Sequence, residues 1–217
     1  YVDHRDLHLS IRRQRQMCIR DSIHADSGMS VREGETGKSE RFQALCDDML
    51  YQMKRYFDPS ITQPIIDMIR HPLDKFIHSK SNVFGKRLRK GRVVQGHGAL
   101  LPEHIHIQGE TVRFLSPHEV FKKYSVLDAA HDVATLMVDL IVANEKELAD
   151  HFLQKYKEAS KDKDLESILP AYQTYCALKH GVLTCERKVA LQDESLGPVA
   201  LEYFNLATRF SRTISKD

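Results

Sequence analysis

Cysteine is scarce in this sequence and clustered nowhere. The four cysteines are Cys18, Cys46, Cys176 and Cys185, and none shows the short paired spacing of a zinc site. Cys176 and Cys185 fall on one expected helix, where about 100° per residue sets them on opposite faces and prevents a mutual disulfide. A reduced, cytoplasmic protein is the expectation. An excess of either charge is also missing. Lys plus Arg number 32 against 30 Asp plus Glu, a formal net charge of +2. That balance gives no footprint for nucleic acid or a membrane surface, and neither partner is expected. Long apolar runs are lacking too. The longest, Val133 to Ala143, contains Asp139 and is too short to span a bilayer. There is no convincing internal repeat.

What is present suits a globular chain. Hydrophobic residues make up 41% of 217 positions, enough for one substantial core. Residues 1–22 carry no apolar periodicity. Within them, Met17-Cys18-Ile19-Arg20-Asp21-Ser22 matches the translation of a transposon end used in preparing sequencing libraries. Residues 1–22 are therefore read as a sequencing scar and set aside. Residues 23–40 are polar and read as a linker, so residues 1 to about 35 are expected to pack poorly. Gly34-Glu35-Thr36-Gly37-Lys38-Ser39 imitates a phosphate loop, but Arg32 stands where the first Gly belongs and no apolar strand precedes it. Ser39 is read instead as a helix N-cap.

Helical spacing begins at Arg41. Phe42, Leu45, Met49, Met53 and Phe57 form one apolar face, and Ile65, Ile66, Ile69, Leu73, Phe76 and Ile77 form a second over residues 62–79, with Pro72 expected to kink or split that helix. Residues 84–90 form a short helix closed by Gly91. The basic run Lys86 to Arg92 is read as a solvated helix terminus whose cations complement the dipole. Further helices are expected over about 129–141, 148–159, 168–189 and 197–212. Gly181 weakens the third of these by about 1 kcal/mol relative to Ala. Strands are expected only near 92–95, 104–107 and 111–115.

The chain is organised around Gly96-His97-Gly98-Ala99-Leu100-Leu101-Pro102-Glu103-His104-Ile105 and Phe114-Leu115-Ser116-Pro117-His118-Glu119. Strand, polar loop and hairpin follow one another there. This stretch resembles the catalytic loop of the aminoglycoside-phosphotransferase branch of the protein-kinase-like superfamily, in the bacterial form often fused to an ATP-binding module. The resemblance covers roughly residues 41–210 and is strongest from Gly91 to Leu140. It rests on His97, Gly98, Leu100, Pro102, Glu103, His104 and Glu119. It implies an α+β, mainly helical fold, the C-terminal lobe of a kinase-like phosphotransferase with small β-hairpins. The N-terminal lobe is not found in residues 1–40, which carry no Gly-rich cover and no strand bearing a Lys.

By the same resemblance Ala99 stands where the family has its catalytic Asp, and Ser116 where it has the metal-binding Asp. His97 belongs to the catalytic loop. Glu103, His104 and Glu119 fall at the cofactor site, with His104 also a candidate metal ligand. Asp128 accepts backbone N–H bonds from the loop, and Asp128 and Asp132 are structural. ATP and Mg²⁺ are the implied cofactors and a small molecule or nucleotide the implied ligand. A methyl group cannot accept a proton, and losing a general base typically costs about 10²–10⁴-fold in rate. The expectation is a degenerate or truncated phosphotransferase domain, inactive as it stands. Two alternatives are a fragment of an active small-molecule kinase lacking its N-lobe, and a histidine metal module built from His97, His104, His106 and His118, with His104 and His106 on one strand face.

Overall fold

A computed structural model describes residue 24 and residues 38–56, 63–108, 111–115 and 126–214. Seven helices and two small sheets are seen among them: α1 (Ser39–Arg55), α2 (Gln63–Ser79), α3 (Ser81–Arg89), β1 (Val93–Gln95), a 3-10 turn (Pro102–His104), β2 (Ile105–Gln108), β3 (Thr111–Phe114), β4 (Val126–Asp128), α4 (Ala129–Val142), α5 (Lys146–Ser160), α6 (Leu165–Leu191) and α7 (Leu196–Ile214). The mainly helical α+β expectation therefore stands.

The apolar periodicity explains which faces go inward. Phe42, Cys46, Leu50 and Met53 of α1 and Ile66, Ile69, Leu73, Phe76 and Ile77 of α2 enter one continuous core. Each such side chain contributes about 1.5–3 kcal/mol by leaving water. α4 and the first half of α6 are buried nearly all round, α4 from Ala129 through Val138 without a break. A helix buried on every side lies at the centre of a bundle. α6 packs against α7, α4 and α1, and α2 lies against α7. Gly181 of α6 faces the ring of Phe204 on α7. A Cβ there would sit 2.5 Å from that ring, so the glycine that weakens the helix locally permits a close approach of α6 and α7.

Several expectations are corrected. Ser39 is the first helical residue rather than the cap; Lys38 takes the cap position. Pro72 neither splits nor ends α2. Its missing N–H leaves the Met68 carbonyl without its helical donor, and the Ser211 hydroxyl of α7 donates to that oxygen at 3.3 Å. The basic run is not simply solvated. Arg87 is fully buried, while Lys86 and Lys90 both pair with Asp164 at 2.7 and 2.9 Å. Finally, β4 is a strand beyond those expected. It pairs antiparallel with β1 in the register Val93 to Asp128, Val94 to Leu127 and Gln95 to Val126. β2 and β3 form the expected hairpin, with Ile105 opposite Phe114.

Most of residues 1–35 lie outside the described residues. His24 is described, and it is buried.

Candidate catalytic loop

The loop leaves β1 at Gln95 and turns over the N-terminal end of α4. Two glycines allow the turn. A Cβ on Gly96 would lie 2.6 Å from Asp132 Oδ2 and 2.7 Å from Leu127 Cδ1. Gly98 has φ of +78°, in the left-handed region that glycine enters without strain. β4 matters here because its pairing with β1 brings the start of α4 directly beneath the loop.

Asp132, on the first turn of α4, gathers the loop. It is fully buried and accepts the His97 N–H at 2.6 Å and the Gly98 N–H at 2.9 Å. His24 Nε2 lies 3.1 Å from its Oδ2 and His131 Nδ1 lies 3.6 Å from its Oδ1. Burial alone would raise the Asp132 carboxyl; the bonds and charges of His131 and His24 outweigh it and hold the group far below the ordinary carboxylate range. An ionised Asp132 can only accept, so His24 Nε2–H donates to it and His24 Nδ1 accepts from the Tyr156 hydroxyl at 3.0 Å.

Asp128 does a different job. It caps α4 by accepting the Ala130 N–H at 2.8 Å and takes Arg87 Nε and Nη2 in a two-pronged pair, both at 2.7 Å. Arg87 also reaches Asp162 at 2.9 Å. Burial would lower the Arg87 guanidinium, but Asp128 and Asp162 more than reverse that and keep it charged. The backbone bonds of the loop therefore go to Asp132, one helical turn along, and not to Asp128. As the last residue of β4, Asp128 meets α3; Asp132 is the acid beneath the loop.

On the loop itself, Ala99 is half-buried and its carbonyl accepts Leu101 N–H at 2.9 Å and His104 Nδ1–H at 2.7 Å. His97 Nε2–H donates to the Leu115 carbonyl at 2.8 Å, which ties the loop to the end of β3. Its Nδ1 is buried without a partner. Burial lowers the His97 imidazole below its ordinary range, against the opposing pull of the Leu115 carbonyl and Asp132. The His97 and His104 rings lie 5.4 Å apart. Lys179, from α6, places its Nζ 3.4 Å from the Gly98 carbonyl. Sequence reasoning missed Lys179 and His24, since neither lies in a motif.

Glu103 is 69% exposed at its side chain, 3.9 Å from His104 Nε2. His104 sits in the 3-10 turn before β2 rather than on the strand, so it does not share a strand face with His106. Ser116, His118 and Glu119 lie outside the described residues. Among the described residues, no group of three or more His, Cys, Asp or Glu stands placed to hold a metal. Ala99 offers a methyl group, and both Asp132 oxygens are occupied by N–H donors. No helix of the described residues is long and apolar enough to cross a membrane.

No family model matches the chain, and no solved structure matches it. It is similar to uncharacterized proteins of Mycobacterium bovis and of two strains of Mycobacterium tuberculosis, each 28% identical over 155 residues. The match takes in 71% of this chain and 30% of each relative, so the matched stretch is less than a third of the length of those curated relatives.

Proposed function

We propose that this chain is a degenerate helical lobe of a kinase-like phosphotransferase, one whose loop keeps its scaffold and has lost its chemistry. The supporting observation is the pair of backbone bonds from His97 and Gly98 to Asp132, which presents Ala99 at the bend of the loop. An acid there would orient or deprotonate an acceptor hydroxyl; alanine does neither. Ser116 replaces the second carboxylate that the resemblance implies. ATP and Mg²⁺ are cofactors of the complete family pattern, and they would need the N-lobe or a fused ATP-binding module as well. A second reading, a fragment of a kinase whose N-lobe lies elsewhere, is favoured by the 30% coverage of each relative.

The test is phosphate transfer from ATP with Mg²⁺ to a panel of hydroxyl-bearing small molecules. The unaltered chain should show none. Ala99→Asp with Ser116→Asp should remain insufficient alone, because positioning by the phosphate-covering lobe supplies much of the catalysis. Activity should return only when the double substitution is combined with a supplied N-lobe. Robust turnover by the unaltered chain would overturn the reading, with His104 and Glu103 the first candidates for another base.

A further inference from the structure

Asp132 and Tyr156 close on one ring. Asp132 lies in the first turn of α4 and Tyr156 near the end of α5, two helices that pack together. The His24 imidazole stands between their side chains, with Nε2 3.1 Å from Asp132 Oδ2 and Nδ1 3.0 Å from the Tyr156 hydroxyl. The Tyr156 ring meets the imidazole edge to face at 6.0 Å, and Phe152 backs Tyr156 at 6.1 Å. All three polar residues are buried. The helical lobe supplies both walls of this hole. The ring comes from outside the lobe, 108 positions before one wall and 132 before the other, and beyond the residues set aside as a scar.

Each wall asks for a different edge of a ligand. An ionised Asp132 offers only lone pairs, so the ligand brings it an N–H. The Tyr156 hydroxyl donates, so the ligand brings it a lone pair. A neutral imidazole carries both, on the two nitrogens of one flat ring. Occupancy of the hole reaches the loop through a single oxygen. Asp132 Oδ2 accepts from His24 Nε2–H and also from the His97 N–H at 2.6 Å. A Cβ on Gly96 would lie 2.6 Å from the same atom. Ring, helix and loop therefore meet at Oδ2. Taking the ring away removes one donor and one packing wall, and frees the carboxylate to turn from the loop amides. Binding in the hole and order at the bend are linked, each favouring the other.

We infer that Asp132 and Tyr156 form a binding site for an imidazole ring between α4 and α5, filled in this chain by His24, and that its occupancy holds the Gly96–Ala99 bend in place. The site is independent of the reading of the loop as one that has lost its base.

The experiment uses the full chain at a pH above the ordinary imidazole range. In the unaltered protein, ¹⁵N spectra of labelled histidine should show a hydrogen on His24 Nε2, protected from exchange with water. A bare Nε2 would overturn the inference, and this arm needs no variant. In His24→Gly, exchange at the His97 and Gly98 amides should quicken at least about tenfold, as loss of a hydrogen bond to a charged group predicts. Free imidazole should slow it again, saturably, with a Kd on the order of millimolar for so small a ligand. Thiazole keeps the ring and the acceptor nitrogen but has no N–H, and should bind at least about tenfold more weakly than imidazole. Adding Tyr156→Phe should weaken imidazole about fivefold. Unchanged amide exchange in His24→Gly, no slowing by imidazole, equal slowing by thiazole, or undiminished affinity with Tyr156→Phe would each overturn the inference. Exchange in the α6 core checks that the variants fold, and a misfolded variant leaves the Nε2 measurement decisive. Failure here leaves the lost-base reading standing, since that reading is judged by phosphate transfer from ATP.

Discussion

His24 Nε2 lies 3.1 Å from Asp132 Oδ2, across a separation of 108 residues. Both side chains are almost wholly buried, at 2% and 0% exposure. Asp132 in turn holds the His97 and Gly98 amides. A residue far before the helical lobe thus braces the carboxylate that shapes the loop.

His24→Ala removes one donor to Asp132 and the acceptor of one Tyr156 hydroxyl bond. The expected loss is about 1–3 kcal/mol in chemical denaturation. Hydrogen exchange at the His97 and Gly98 amides should quicken more than in the α6 core. Unchanged exchange at those two amides would mean that His24 packs there without bracing the loop.

The pH dependence follows from Asp132. Its folded carboxyl titrates far below its unfolded value of about 3.9. A depressed acid contributes stability that is fully present above the unfolded value and is lost as pH falls toward the folded one. The carboxylate's own contribution, removed in Asp132→Asn, should therefore be complete above about pH 5 and fall away below it. The gap between the two proteins should narrow between pH 4 and pH 2. A gap that widens between pH 4 and pH 2 would reverse the sign argued here.

Arg87 is buried against two carboxylates, Asp128 and Asp162. Arg87→Met leaves Asp128 in the interior without its counterion and Asp162 with only Arg92, at 3.8 Å, and breaking a buried pair in this way typically costs about 3–5 kcal/mol. Asp128→Asn added to Arg87→Met should cost less than the two separate losses summed, because the partners share one interaction. Urea denaturation of the double-mutant cycle measures this, and strict additivity would show that the pair is energetically uncoupled.

Gly181→Ala separates local preference from packing. In an isolated helix the change gains about 1 kcal/mol. Here the new methyl meets the Phe204 ring at 2.5 Å, and overpacking costs about 1–3 kcal/mol. The melting temperature should fall. A rise would mean that α6 and α7 separate to admit a methyl group at little cost.

The sequence by itself determined the helices, their buried faces and the β2–β3 hairpin. Those features repeat at fixed spacing along the chain, so a face such as Ile66, Ile69, Leu73, Phe76 and Ile77 is legible from neighbouring residues alone. The Gly96 to His104 stretch is equally legible as a glycine-flanked loop between two strands. Tertiary structure decided how polar groups pair. Only the contact with β1 makes three residues, Val126–Asp128, a strand. Only the approach of α4 to the loop gives Asp132 the loop amides and leaves Asp128 to Arg87. Ser211 satisfies the Met68 carbonyl freed by Pro72 from 143 positions away, and His24 and Lys179 reach the loop from opposite ends of the chain. Apolar burial follows a local period, because any apolar partner serves. A buried charge or lone pair needs one particular partner, and that partner is set by the path of the whole chain.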